Sequence, residues 1–453
     1  MGGMAGMAQQ NVSLRTILAY GCLSLPIGTI GLPIAIYLAP LYAGQLSLSL
    51  QMIGVAFLLA RLVDFITDPL VGVLSDRWRP AIGRRRVWLV LGTLVMMAGV
   101  FLLFRPAEGI GIWYFFGAVS LVYFGYTLLG IPYAAWGAEL SSSYHTRTRI
   151  TSSARFFDIG GLIISTLIPA AVLAQAGATS ADVMHQLSVF ILIALPIAAT
   201  IVFFLVPEPQ APVVKTPFNF RKSLALLTSN GPFARIVLVL LIGTIGEVFR
   251  QTITLFFARD VIGVTNIGAV YFYYFVTALI MVPFWLWLAQ RIEKHRALTL
   301  AFIIIAITNG SMFFLGEGQE LAFIALFVIK GACYGPVLML PPAMIADTVD
   351  IDTAKTKDRQ QGLFYALAGM IQKIGYALGA SLPLIILGMV DYNSNGETSP
   401  AALSVLTLCY SIVPGVLVLA AAWLTIGYSL TEARHLEIRK QIDADGPPLE
   451  KPV

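Results

Sequence analysis

Arg61, Asp64 and Asp68 stand three, four and seven residues apart inside a long apolar stretch, Leu58-Leu59-Ala60-Arg61-Leu62-Val63-Asp64-Phe65-Ile66-Thr67-Asp68-Pro69-Leu70. Those spacings put all three on one face of a helix. Each charge at a bilayer centre costs about 2.5 kcal/mol or more, so a lipid-facing helix cannot carry the set. The face must look at protein or water. Two carboxylates this close in a low dielectric cannot both ionise at low cost, so one of them can carry a proton. Na⁺ would instead keep both charged, through oxygen ligands. A buried charge network that only ties helices together is the competing explanation.

The elements that must hold these residues are membrane helices. Of 453 residues, 58% are hydrophobic and only 12% are charged. Soluble domains carry roughly 25% charged residues. Apolar segments of about 20 residues recur along the chain. They predict twelve helices, at 15–41, 50–75, 85–105, 111–139, 152–175, 187–206, 233–259, 266–290, 297–315, 320–346, 361–389 and 400–428. Met1–Gln10 lacks a basic n-region, so no cleavable signal is expected, and the first span is read as a retained helix.

The net charge of +5 is not a nucleic-acid signal, because the basic residues are sorted by loop. Arg77, Arg79, Arg84, Arg85 and Arg86 follow helix 2, and Arg147 and Arg149 follow helix 4. Lys215, Arg221 and Lys222 lie between helices 6 and 7. Arg291, Lys294 and Arg296 follow helix 8, and Lys355, Lys357 and Arg359 follow helix 10. The opposite loops hold Glu108, Asp182, Glu317, Glu320, Asp391 and Glu397, with Arg105 and Arg259 near helix ends. The positive-inside rule then puts both termini in the cytoplasm. A proline-rich segment separates two sets of six helices. The expected organisation is a bundle over 1–206, a cytoplasmic linker over 207–232, a bundle over 233–430 and a cytoplasmic tail over 431–453. Cys22, Cys333 and Cys409 have no metal or disulfide spacing and read as packing residues.

Gly72-x-x-x-Asp76-Arg77 followed by Gly83-Arg84-Arg85-Arg86 resembles the signature cytoplasmic loop of the major facilitator superfamily. Gly72 allows close helix approach, Asp76 can accept hydrogen bonds, and the arginines can pair with acids or lipid phosphates. Ala60-Arg61-x-x-Asp64-x-x-x-Asp68-Pro69 resembles helix 2 of the glycoside–pentoside–hexuronide:cation symporters. Tyr126-Thr127-x-x-x-x-Pro132-Tyr133, Arg155-Phe156-Phe157, Ile345-Ala346-Asp347-Thr348-Val349-Asp350 and Lys373 resemble that family's helices 4, 5, 10 and 11. The resemblance spans essentially the whole chain.

It implies an all-α membrane protein, with twelve helices in two six-helix bundles that alternate access to a central site, as facilitators do. It implies that Asp64 and Asp68 ligate the coupling cation, with Thr127 and Tyr126 lining the same site. Arg61, Arg155 and Lys373 would balance charge and contact the gate. The chain departs from the family pattern in three places. Gly130 stands where helix 4 carries an aspartate, helix 1 has no acid to recognise sugar hydroxyls, and Ala134 replaces a tryptophan, with Trp136 nearby. One carboxylate fewer favours H⁺ over Na⁺. No other metal and no cofactor are expected.

Further charges lie in other expected spans. Glu247 and Arg250 share a face of helix 7, Asp158 lies three residues after Arg155, and Lys330 sits inside helix 10. They either bind substrate, an arginine clamping a carboxylate or phosphate, or pair internally, Glu247 with Arg250 and Arg155 with Asp158. Tyr133, Trp136 and Tyr273 are the aromatic substrate candidates, although rings at both ends of helix 8 also suit an interfacial belt. His145, His185, His295 and His435 fall in expected loops or the tail and receive no proton role. No Walker loop, Cys/His metal spacing or Ser/His/Asp set appears, which argues against an enzyme or an ATP-driven pump.

The chain is therefore expected to be a monomeric, multi-pass inner-membrane transporter. It would couple H⁺ or Na⁺ to a small solute, with a sugar or glycoside as the family's substrate. An acidic, aromatic or lysolipid-like solute is the alternative, and a non-transporting sensor with the same fold is the second.

Overall fold

The computed structural model describes residues 12–141, 143–208, 226–356, 361–394 and 398–444. Most of the expected linker and the end of the expected tail lie outside them, as do Lys215, Arg221, Lys222, Lys357, Arg359 and Glu397. Among the described residues, twelve helices are long and apolar enough to cross a membrane. They are α1 (Leu14–Gly44), α2 (Leu50–Arg77), α3 (Arg86–Phe104), α4 (Ile112–Glu139), α5 (His145–Leu173), α6 (Ser180–Leu205), α7 (Gly231–Thr252), α8 (Ile267–Ile292), α9 (Lys294–Phe314), α10 (Glu320–Ala354), α11 (Gly362–Met389) and α12 (Pro400–Thr425). A further helix, α13 (Glu432–Ala444), follows the last span.

The expected spans match these elements in number and order, and the ends differ for local reasons. α6 begins at Ser180 rather than at 187, because Thr179 and Asp182 form a capping box: the Thr179 backbone N–H donates to Asp182 Oδ2 at 2.8 Å. Asp182 is thus a helix residue, not a loop residue. α5 begins some two turns early, in a segment carrying His145, Arg147 and Arg149, where hydropathy alone reads a loop. α7 stops at Thr252 and continues as a short turn, Thr254–Phe257. α10 is interrupted between Ala332 and Tyr334.

The histidines are a correction. His145, His185, His295 and His435 all lie in helices. The expected tail opens as α13, held to α10 by His435 Nε2 at 2.9 Å and Arg439 Nε at 3.2 Å from Asp350 Oδ2.

The chain divides into two compact units. One holds residues 1–48 and 59–213, and the other holds 49–58 and 214–453. In the first unit, small residues let α3 and α4 touch along their backbones. A Cβ on Gly125 would lie 2.9 Å from Met96 Cα, and one on Gly99 would lie 2.9 Å from the Val122 backbone nitrogen. The second unit has an apolar core that includes Phe233, Phe302, Phe364 and Val418. The opening turns of α2 belong to this unit, where Gly54 packs against the Ser381 carbonyl of α11.

One polar hub ties α2 to α4. The Arg85 side chain is 1% exposed and forks onto Glu139, with Nη2 at 2.5 Å from Oε1 and Nε at 3.1 Å from Oε2. It also reaches Asp76 Oδ1 at 2.9 Å and Ser75 Oγ at 3.1 Å. Arg84 adds a 2.7 Å bond to Glu139. Burial opposes the charge on Arg85, but the Glu139 and Asp76 carboxylates more than reverse this and hold the guanidinium above its usual value. Asp76 is thus a working part of the motif, whereas Arg77 is exposed. Removing one partner of a buried pair costs about 3–5 kcal/mol. Arg85→Ala should therefore lower the thermal unfolding midpoint in detergent, whereas an exposed control, Arg77→Ala, should cost within about 0.5 kcal/mol. Equal midpoints for the two variants would contradict this role of the hub.

Candidate functional site

α2 carries Arg61, Asp64 and Asp68 on one side, as their spacing predicts. Asp64 is 3% exposed, and Arg61 Nη1 donates to its Oδ2 at 3.2 Å. The Arg61 guanidinium is held from α4, where its carbon lies 3.6 Å from the centroid of the Tyr123 ring. Cation–π contact of this kind contributes about 2 kcal/mol when desolvated. Thr127, one turn further along α4, donates its hydroxyl to Asp68 Oδ1 at 2.8 Å. Two residues of α4 at i and i+4 thus position the charges of α2. Thr67 lies beside Asp68, and its Oγ1 is buried with no hydrogen-bond partner. Tyr126 sends its hydroxyl to the Ile27 carbonyl of α1 at 2.8 Å.

Tyr133 and Trp136, expected to meet substrate, are engaged in packing. Tyr133 donates to the Tyr20 carbonyl at 2.5 Å and Tyr20 donates back to the Tyr133 carbonyl at 2.9 Å, with the rings stacked at 4.2 Å. Trp136 is buried and donates Nε1–H to the Pro207 carbonyl at 2.9 Å. Arg155 pairs with Asp158 at 3.4 Å, as the internal-pairing explanation has it, with Gly28 of α1 close to the Asp158 carboxylate. Tyr273 on α8 is exposed, and Lys373 on α11 is half-buried.

The second unit brings Glu247, Arg250 and Lys330 together. Arg250 Nη2 lies 2.8 Å from Glu247 Oε1, and Lys330 Nζ lies 2.8 Å from Glu247 Oε2. Both cations are fully buried, while the Glu247 side chain is 24% exposed. Lys330 also donates to Asn309 Oδ1 at 3.2 Å, and Arg250 Nη1 donates to the Tyr410 hydroxyl at 3.1 Å. The Phe327 ring lies 5.1 Å from the Arg250 guanidinium. Each cation occupies the last turn of a helix segment, Arg250 before the end of α7 and Lys330 before the interruption of α10, where the negative end of a helix dipole favours positive charge.

Residues 19–432 match the family model described as MFS/sugar transport protein. The chain belongs to this family. Within it, the relatives place the protein with the glycoside–pentoside–hexuronide:cation symporters. It is 24% identical over 444 residues to the putative glycoside/cation symporter YagG of Escherichia coli, covering 95% of each chain. It is 23% identical over 392 residues to the isoprimeverose transporter of Lactiplantibacillus pentosus, covering 84% of this chain and 81% of that one. The crystal structure of the nucleoside transporter NupG shares the fold, with a TM-score of 0.62 at 14% identity over 92% of this chain and 99% of that one. The protein is thus a multi-pass membrane transporter of the cation-coupled facilitator type.

Tyr123, Thr67, Asn309, Tyr410 and Glu139 of this symporter escaped the sequence reading. A signal existed for Tyr123 and Thr67, which fall within one helical turn of residues already singled out. Asn309 and Tyr410 take meaning only from the packing of α9 and α12 against α7 and α10. Hydrogen bonds to charged groups contribute about 1.5–3 kcal/mol. Thr127→Val, which keeps shape and removes the donor to Asp68, should therefore unfold earlier in neutral buffer by an amount in that range. An unchanged midpoint would mean that the Thr127–Asp68 bond holds nothing in place.

Proposed function

We propose that this symporter couples H⁺, in preference to Na⁺, to the movement of a small sugar-like solute by alternating access, and that the proton rides on Asp64 and Asp68. The observation that carries the reading is the pairing of two carboxylates on one face of a membrane helix, each tied to a different partner. Arg61 holds Asp64 in place and Thr127 holds Asp68. Such a pair accepts and releases one positive charge without rearranging the helix.

The ligand supply favours a proton. Hard cations such as Ca²⁺ and Mg²⁺ take about six oxygen ligands, whereas a proton needs one carboxylate oxygen. Gly130 brings no oxygen side chain, the Tyr126 hydroxyl donates to Ile27, and the Asp64 carboxylate already carries Arg61. Thr67 Oγ1 is the extra oxygen that Na⁺ would recruit. The sugar-like class is supported by what the relatives named above carry. The loop distribution of arginine and lysine supports cytoplasmic termini.

The test is uptake into proteoliposomes. Asp64→Asn should abolish accumulation driven by a pH gradient while the protein still folds, and Na⁺ at constant pH and ionic strength should not stabilise the wild type. Wild-type accumulation by Asp64→Asn would refute the coupling role. Stabilisation by Na⁺ would reassign the ion.

A further inference from the structure

An apolar trough runs along α1 and α6 on the surface of the first unit. Two cavities, of about 600 and 500 Å³, share Cys22 and Ile201 and so form one continuous depression. Small side chains floor it: Cys22 of α1 and Ala194 and Ala198 of α6. Ile193 and Ile197 stand at its edge, 57% and 55% exposed. On a membrane-spanning helix, exposed side chains of this kind meet hydrocarbon.

One end of the trough is charged. Arg15 lines it together with Leu14, Leu18 and Leu205. Its side chain is exposed, α1 has no acid in its first turn, and residues 1–13 contain none. Among the described residues, no carboxylate pairs with Arg15. The first turn of a helix also disfavours a cation, because the positive end of the helix dipole lies there. The length of the trough fits one leaflet. From Leu205 to Ala194, α6 rises about 16 Å, and half of a bilayer's hydrocarbon core is about 15 Å. The trough runs on beyond Ala194 to Gln186.

We propose that this trough binds a phospholipid with an anionic headgroup, such as phosphatidylglycerol. The lipid phosphate pairs with Arg15, and one acyl chain lies over Cys22, Ala194 and Ala198. An arginine matches a phosphate through its planar fork of N–H donors. A lipid supplies both the apolar chain and the anion. A second copy of this chain would not, because the residues lining the trough include no acid and the same face would bring another Arg15. The lipid is a resident of the bilayer and not the solute of the transport cycle.

The experiment is native mass spectrometry of the full-length protein in detergent, titrated with phosphatidylglycerol or with phosphatidylcholine of the same acyl chains. It reads the affinity for the first lipid bound. The wild type should bind phosphatidylglycerol the more tightly. Arg15→Gln should weaken phosphatidylglycerol binding by about fivefold, the effect of one arginine on an anionic lipid surface, and leave phosphatidylcholine unchanged. Arg79→Gln, which removes another exposed arginine of the same unit, should change neither. Ala194→Phe fills the floor of the trough and should weaken both lipids. If that variant fails to fold, the comparison of Arg15→Gln with Arg79→Gln still decides. Equal affinity of the wild type for the two lipids, equal losses in the two arginine variants, or unchanged binding by a folded Ala194→Phe would overturn the proposal. A dimer in the same spectra that Ala194→Phe dissociates would assign the trough to a second copy and overturn it as well.

Discussion

A charge inside a membrane must be matched by protein, because lipid will not match it. The polar architecture of both units answers to that constraint. In the first unit, Asp64, Asp68 and Arg61 bring two acidic groups and one basic. In the second, Glu247, Arg250 and Lys330 bring one acidic group and two basic. Each set is held by hydrogen bonds and ring contacts rather than by side-chain burial alone. The first set suits a site that takes up a cation. A purely structural network would be free to choose equal numbers of each sign.

The backbone makes such clusters tolerable. Arg250 and Lys330 both sit in the last turn of a helix segment, ahead of the breaks after Thr252 and Ala332, and the negative end of a helix dipole favours positive charge there. Gly331 lets α10 lie close against α8, since a Cβ there would lie 2.3 Å from the Tyr274 carbonyl. On α2 no break is needed. Arg61 and Asp68 are reached from α4 by Tyr123 and Thr127, and Gly125, two residues from each, brings the α4 backbone against Met96 of α3. The charged loop beyond α2 is anchored in turn by the Arg85 fork on Glu139.

Much of this was legible in the sequence. Apolar length alone marks twelve spans, because a bilayer sets the minimum length of a crossing helix. The shared face of Arg61, Asp64 and Asp68 follows from helical periodicity, and the Arg155–Asp158 and Glu247–Arg250 pairs follow from a spacing of three. Helix ends were less legible, because His145, Arg147 and Arg149 extend α5 where their polarity reads as a loop. Contacts between helices were least legible. Nothing local says that Lys330 meets Glu247, or that Tyr133 turns its hydroxyl to the Tyr20 backbone. Tyrosine and tryptophan have an apolar body and one polar handle, so the same residue serves equally well in packing or in recognition.

If Asp64 and Asp68 take one proton per cycle, transport of a neutral solute carries one positive charge. The direct measurement is uptake of a neutral glycoside by proteoliposomes under an imposed pH gradient, with the membrane potential set independently by potassium and valinomycin. The account predicts uptake that follows the pH gradient and rises further when the interior is made negative. Uptake indifferent to the potential at fixed pH would show that no net positive charge enters with the solute, and would contradict it.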